Sequence, residues 1–329
     1  ITFTYPKLGH YLSEGYSARG NLSIYSIGHS LDEVSCVAHL IEDRDIVKIL
    51  KPFDPTSDKY SNGKILSLAG SLNYTGAAIL SGTSALKAGG GILKQVYPLS
   101  LNESYSNFKE AIDYPIEDHN LGHLTSSHFS EISPFYDWAD CLMIGPGISN
   151  AKESIDLISK VLASYSGNCV IDATALLSIE FKKDKFSQIP KKSIITPHYN
   201  ELARILDISK EDLQRNVIPI IKDLSVYLED RILVLKGYNT IIADGYENIY
   251  ILDKGTSILS TAGTGDVLTG IISAYVASGY DLIDAALVGA SIHIRASNIL
   301  KSNKTESIFA SELISAISES QYFYRCVHG

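Results

Sequence analysis

Residues 260–279 read STAGTGDVLTGIISAYVASG, with Gly263, Thr264 and Gly265 directly ahead of Asp266 and an apolar run behind it. Two glycines around a threonine suit neither a helix nor a strand, because glycine gives up the most backbone freedom on ordering. They do let a main chain come close to another molecule. A helix starting here offers unpaired N–H groups and the positive end of its dipole, so Gly263, Thr264 and Gly265 are read as an anion hole. A carboxylate in that field is expected to be ionised and able to take a proton from a hydroxyl, which makes Asp266 the candidate base. A plain helix cap explains Asp266 equally well on this short pattern alone.

Other polar residues stand at the ends of apolar runs. Lys236 in VLKGYNT offers charge to a nucleotide, with Gly237 making room and Thr240 supplying a hydroxyl, although strand-end lysines are often only solvated. His198 in ITPHYNE leaves a strand through Pro197, and a lone histidine is more often structural than chemical. Asp172 closes the run CVID, where an unpaired carboxylate is costly, so a partner or ligand is expected. Gly145 and Gly147 around Pro146 make a rigid turn that lets a ligand approach the main chain.

The elements that must position these residues follow from the apolar runs 64–71, 140–147, 168–174, 192–198, 231–237 and 239–245. Most lack strict alternation and so read as strands buried on both faces, as in a parallel sheet. Helix-length stretches at 76–90, 151–165 and 200–206 lie between them. The pattern predicts an α/β fold, a mostly parallel central sheet with helices on both faces. Its strand ends converge on one edge, bringing Ser71, Gly145, Gly147, Asp172, His198, Lys236 and the Gly263 loop to one cleft. The stretch 239–253 turns at Gly245 and reads as a hairpin on the sheet edge. Residues 100–135, polar and interrupted by Pro115, read equally as a surface excursion near the site or as a plain solvated insertion.

Composition narrows the function classes. The 329 residues are 45% hydrophobic and 20% charged, enough for a sizeable core. A net charge of −9 without a basic run argues against a nucleic-acid or anionic-membrane surface and favours small-molecule partners. The four cysteines have no CxxC spacing and read as reduced thiols in a cytoplasmic protein. No run approaches the length of a membrane span, and no signal-peptide pattern opens the chain. The start at Ile1, without methionine and within an apparent strand, suggests a fragment or processed chain.

Six motifs in order give these residues a family. The chain resembles the NAD(P)HX dehydratases of the ribokinase-like superfamily in 59–91 (KYSNGKILSLAGSLNYTGAAILSGTSALKAGGG), IGPG (144–147), VIDATAL (170–176), ITPHYNE (195–201), VLKGYNTIIADG (234–245) and AGTGDVLTG (262–270). The resemblance implies a three-layer ribokinase-like sandwich over residues 51–329. It also implies a hydro-lyase that uses ADP or ATP, with Mg²⁺, to remove the added water from hydrated NADH or NADPH. The 6-hydroxyl would be phosphorylated and then lost as phosphate. Carried over residue by residue, Ala77, Gly147, His198 and Asp266 are the expected contacts to the hydrated dinucleotide. Lys236, Gly237, Tyr238, Asn239, Thr240 and Gly265 are the expected contacts to the adenine nucleotide, and Asp266 is the expected base.

The chain departs from the family pattern in three places. It has Asp172-Ala173-Thr174-Ala175-Leu176-Leu177 for Asp-Ala-Asp-Ala-Leu-Asn, and His198-Tyr199-Asn200-Glu201 for His-Pro-Gly-Glu. It has Thr256-Ser257-Ile258 where Asn-Pro-Gly is usual. Asp172, Glu201 and Asp266 are kept, so activity is expected. Residues 1–50 resemble the tail of an NAD(P)HX epimerase domain, with its linker, in YPKLG and IGHS. Two other readings stand beside the dehydratase: a small-molecule kinase of the same superfamily, and a nucleotide binder that has lost catalysis. A homo-oligomer is expected, since enzymes of this kind assemble through symmetric interfaces.

Overall fold

The computed structural model describes residues 1–28, 36–52, 54–179, 189–302 and 306–326. A ten-stranded sheet carries the fold. In chain order its strands are β3 (His39–Leu40), β4 (Lys64–Leu68), β5 (Ile92–Pro98), β6 (Ile112–Ile116), β7 (Cys141–Ile144), β8 (Cys169–Ile171), β9 (Ser193–Ile195), β10 (Ile232–Leu235), β11 (Thr240–Ala243) and β12 (Ile249–Leu252). Their spatial order is β3-β12-β11-β10-β9-β8-β7-β4-β5-β6. The seven strands from β10 across to β6 run parallel to their neighbours, while β11 is antiparallel to both β10 and β12. A separate two-stranded sheet pairs β1 (Thr2–Phe3) with β2 (Ile24–Tyr25).

Alternation along each strand splits the core into two layers, because successive side chains point to opposite faces. Ile65, Cys141, Met143, Val170, Ile194, Ile232 and Val234 pack toward the Thr75–Lys87, Thr264–Ala277 and Leu282–Ser302 helices. Leu66, Leu142, Ile144, Ile171, Ile195, Leu233 and Leu235 pack toward the Lys152–Ser164, Tyr199–Leu206 and Val217–Leu228 helices. Apolar residues at both registers explain why the strands read as continuous apolar runs. The result is the expected three-layer α/β sandwich. Each run also ends sooner than its composition suggests: the strand within 140–147 stops at Ile144, and Gly145 follows with φ of +121°. Such a backbone suits glycine.

Two expectations are corrected. The β11–β12 hairpin does not form the sheet edge, because β3 pairs in parallel with β12 outside it. With β3 and the Asp43–Ile49 helix, whose Ile46 and Val47 enter the core, part of the 1–50 segment is built into the sandwich. The polar stretch 100–135 is not a bare excursion either, since β6 adds to the edge beside β5 despite Pro115. Proline is tolerated on an edge strand, where one side of the ladder is open. This stretch also reaches the strand-end loops, where the Leu72 amide donates to the Gly122 carbonyl at 2.8 Å. Of the IGHS segment, His29 and Ser30 lie outside the described residues. The four cysteines are free, Cys141 and Cys169 buried, Cys36 and Cys326 exposed. Among the described residues no helix is long and apolar enough to cross a membrane.

Candidate active site

The loops that follow the parallel strands are stitched together along one rim. The Gly70 amide donates to the Pro146 carbonyl at 2.9 Å, Asp172 N to Ile144 O at 3.1 Å, Thr196 N to Ile171 O at 3.1 Å and Lys236 N to Pro197 O at 2.8 Å. Ser71 Oγ donates to Gly147 O at 2.8 Å, and Thr174 Oγ1 to Ile148 O at 2.7 Å. Thr174 stands where the family pattern has a second carboxylate, and here its hydroxyl braces two loops. Ala77 lies in the first turn of the Thr75–Lys87 helix. A Cβ on Gly147 would sit 2.9 Å from the Ala77 Cβ and 2.4 Å from the Tyr74 carbonyl, so these two residues share one wall.

The centre of the rim is an ion-pair cluster. Lys236 Nζ lies 2.6 Å from Asp172 Oδ1, and Thr269 Oγ1 donates to Asp172 Oδ2 at 2.6 Å. Both Asp172 oxygens are therefore occupied, as the cost of an unpaired buried carboxylate demands. Burial alone would push the Lys236 ammonium down, but Asp172 and Glu201 outweigh it and hold its pKa above the usual value. Burial pushes the Glu201 carboxyl up, with Lys236 opposing and Asp172 reinforcing.

Asp266 faces this cluster. The cap of the Thr264–Ala277 helix is Gly263, with φ of +91°, so Asp266 lies inside the first turn and the simple cap explanation is corrected. Its carboxylate has no hydrogen-bond partner among the described residues. Burial first, then the neighbouring Asp172 and Glu201 charges, push its pKa up to about 7, against the pull of Lys236. The expectation of a fully ionised carboxylate is thereby corrected, because the helix end does not offset burial beside two other acids. A pKa near neutrality is what a general base at ordinary pH requires.

The glycine loop is tied from behind. Thr264 is buried: its hydroxyl shares one proton between the carbonyls of Leu259 at 2.8 Å and Thr261 at 2.9 Å, its amide donates to the Thr261 carbonyl at 3.4 Å and its carbonyl faces His293, so Thr264 itself presents no free polar group to the cleft. The Gly265 and Asp266 amides find no acceptor among the described residues, as expected in a first helical turn. A Cβ on Gly265 would lie 3.4 Å from Lys236 Nζ, which places this glycine against the lysine.

The 236–240 segment divides in two. Lys236 reaches the cluster and Tyr238 is 43% exposed, its ring tilted 37° against that of Tyr16 with centroids 5.0 Å apart. Gly237 leaves room for Tyr199, whose ring a Cβ would meet at 2.7 Å. Asn239 and Thr240 are buried, and the Asn239 amide is spent on the Tyr11 carbonyl of the N-terminal segment. His198 lies beside Lys236, across the bridge that joins the two main chains. It caps the Tyr199–Leu206 helix: Nδ1 accepts from the Glu201 amide at 3.1 Å, and Glu201 Oε2 accepts from the His198 amide at 2.7 Å.

Sequence reasoning missed two residues. Thr269 stands one helical turn beyond Asp266, a spacing that could have flagged it. His293 sits on another helix, and its Nε2 lies 2.8 Å from the Thr264 carbonyl. Among the described residues, no group of three or more His, Cys, Asp or Glu is placed to hold a metal ion. With Asp172 already saturated, the donor set does not fit a protein-made Mg²⁺ cage.

A family model described as NAD(P)H-hydrate dehydratase matches residues 65–319. The chain belongs to the NAD(P)H-hydrate dehydratase family. The bifunctional NAD(P)H-hydrate repair enzyme of Dictyoglomus turgidum is 30% identical over 323 residues, 95% of this chain and 62% of that protein. The Escherichia coli enzyme of the same name is 29% identical over 270 residues, 82% of this chain and 49% of that protein. This member of the family thus spans only about half to three fifths of those relatives. In fold it is similar to the ADP/ATP-dependent NAD(P)H-hydrate dehydratase of Bacillus subtilis, crystallised with ATP and Mg²⁺. The TM-score is 0.73 at 23% identity, over 87% of this chain and 99% of that one.

Proposed function

We propose that this chain dehydrates (6S)-NAD(P)HX to NAD(P)H, with ADP or ATP as phosphoryl donor. The single observation that carries the reading is Asp266, a carboxylate in the first turn of the Thr264–Ala277 helix without a hydrogen-bond partner among the described residues. The charges of Asp172, Lys236 and Glu201 act on it, and the Gly265 and Asp266 amides beside it find no acceptor among the described residues.

In this reading Asp266 takes the proton of the substrate 6-hydroxyl as that oxygen bonds to the terminal phosphorus. The bond from phosphorus to the nucleotide's bridging oxygen breaks, and the shortened nucleotide leaves. The carbon–oxygen bond at C6 then breaks with release of phosphate, the ring nitrogen lone pair supplies electrons, and loss of the C5 proton restores the dihydronicotinamide. The Gly265 and Asp266 amides and the Lys236 ammonium lie where charge develops on the transferred group, an electrostatic role that needs no reorganisation. Ala77 and Gly147, on their shared wall, and His198 at its helix cap hold the dinucleotide; Gly265 and the Lys236–Thr240 segment hold the nucleotide, with Asn239 and Thr240 acting through main chain. Mg²⁺ would arrive on the nucleotide's phosphates, which ask few ligands of the protein.

A kinase of a small alcohol would use the same base and the same anion hole, so the product decides. The test is purified chain with chemically prepared NADHX, Mg²⁺ and ADP or ATP, read as recovery of dihydronicotinamide absorbance and free phosphate. Recovery with either nucleotide supports the dehydratase. Nucleotide binding with no recovery removes it and leaves the kinase or inactive-binder reading. We propose also that residues 1 to about 35 are the tail of an epimerase domain, followed by a segment that joins the sandwich as β3 and the Asp43–Ile49 helix, and that the protein works in the cytoplasm as a homo-oligomer.

A further inference from the structure

His293 lies on the Leu282–Ser302 helix, 7% exposed, against the glycine loop and near enough to Lys236 to feel its charge. Its Nε2 is 2.8 Å from the Thr264 carbonyl oxygen. A carbonyl can only accept, so Nε2 carries the proton and donates. Burial holds this imidazole's pKa down to about 4, which keeps the ring neutral and the tautomer fixed at ordinary pH.

The peptide joining Thr264 to Gly265 is planar and trans, so its C=O and N–H point in opposite directions. A donor fixed on the carbonyl therefore fixes the direction of the amide on the other side. That amide belongs to Gly265, the residue whose Cβ position lies 3.4 Å from Lys236 Nζ. The same short turn is tied at the Thr264 hydroxyl, which holds two carbonyls ahead of the helix. The Gly265 carbonyl lies 3.1 Å from Thr269 Oγ1, whose one proton goes to Asp172 at 2.6 Å. The Thr264 carbonyl also opens the hydrogen-bond ladder of the Thr264–Ala277 helix, and among the side chains of the described residues His293 alone donates to it.

We propose that His293 is a positioning residue for phosphoryl transfer, holding the Thr264–Gly265 peptide so that the Gly265 amide points at the transferred group. This rests on the phosphoryl-transfer reading of the site. It predicts a role that volume and burial alone would not give, because the residue must supply a hydrogen-bond donor at the reach of Nε2.

The test compares His293→Leu, His293→Gln and His293→Asn with the unaltered chain, well below each melting temperature, by dehydratase turnover and by calorimetric titration with ADP. Glutamine places its amide donor near the Nε2 position; asparagine stops one methylene short. We expect leucine to lower kcat about ten- to a hundred-fold, the order expected for a misdirected oxyanion-hole donor. KM for the hydrated dinucleotide should stay within about two-fold, and glutamine should recover most of the lost rate. Where leucine does not fold, glutamine should still exceed asparagine by about ten-fold. Equal kcat in all folded variants, or equal loss in glutamine and asparagine, overturns the proposal. If the unaltered chain binds ADP but restores no NADH, the dehydratase reading falls separately. His293 is then judged on ADP affinity, expected about ten-fold weaker without the donor and restored by glutamine; unchanged affinity overturns it. Failure of the unaltered chain to bind ADP overturns both.

Discussion

Lys236 Nζ and Asp172 Oδ1 lie 2.6 Å apart across the end of β9, from the loops that follow β10 and β8, and the carboxylate side chain is only 2% exposed. Removing the ammonium strands that carboxylate. Lys236→Met should therefore lower unfolding stability by about 3 kcal/mol, the cost of breaking a buried pair from one side. Pairing it with Asp172→Asn should return part of the loss. Urea midpoints of the two variants give the answer, and a single variant as stable as the parent would show that water reaches Asp172. In binding titrations Lys236→Met should weaken ADP affinity more than it slows the chemical step.

Asp266 titrates near neutrality, so activity should fall on the acid side of about pH 7 as the base is protonated. Asp266→Asn should abolish turnover and leave ADP binding largely intact. The same shift has a consequence for stability. A carboxyl raised in the folded state favours folding fully only below its unfolded pKa, and that contribution is lost as pH rises through the folded value. Asp266→Asn should accordingly raise the melting temperature more at pH 8 than at pH 5. An equal gain at both values would place the ionisation elsewhere.

His293 has the opposite sign. Its folded pKa is held down to about 4, so acid protonates the unfolded chain first. Its contribution is present above the ordinary histidine range and is lost as pH falls toward 4, to a total of order 3 kcal/mol. His293→Gln should flatten the fall in stability between pH 6.5 and pH 4, followed by denaturant unfolding at several pH values. Identical slopes would assign the acid lability to other groups.

Gly147 has φ of +65° and no room for a methyl group, since its Cβ would stand 2.4 Å from the Tyr74 carbonyl. Gly147→Ala should displace the Ser71–Tyr74 loop and cost about 1–3 kcal/mol. It should also raise KM for the hydrated dinucleotide more than it weakens ADP binding. An unchanged KM would remove this wall from the substrate site.

The sandwich was legible because its strands are short apolar runs ended by glycine or a polar residue. The cleft was legible because parallel strands deliver their following loops to one edge. β3 escaped notice since His39–Leu40 is too short to show a period. β6 was hidden by its polar sequence, IDYPI, which suits an edge but not a buried strand. Among the chemical groups, Asp172 and Lys236 were found one by one as strand-end residues, but their pairing is a fact of register between β8, β9 and β10. The protonation of Asp266 was misread for a related reason. The helix dipole is a local effect visible in sequence, whereas burial and the Asp172 and Glu201 charges come from loops remote along the chain. His293 carried no signal at all, because nothing within its own helix shows that the ring reaches across to Thr264.

The two outermost strands also bear on how this molecule behaves at high concentration. An open sheet ends in unpaired main-chain groups that invite another chain to add a strand. Here one end is β3, two residues long, and the other is β6, whose Pro115 has no amide hydrogen to donate. Neither end presents a long template. The mostly parallel sheet that gathers these strand-end loops is thus bounded, among the described residues, by strands ill suited to edge-to-edge aggregation.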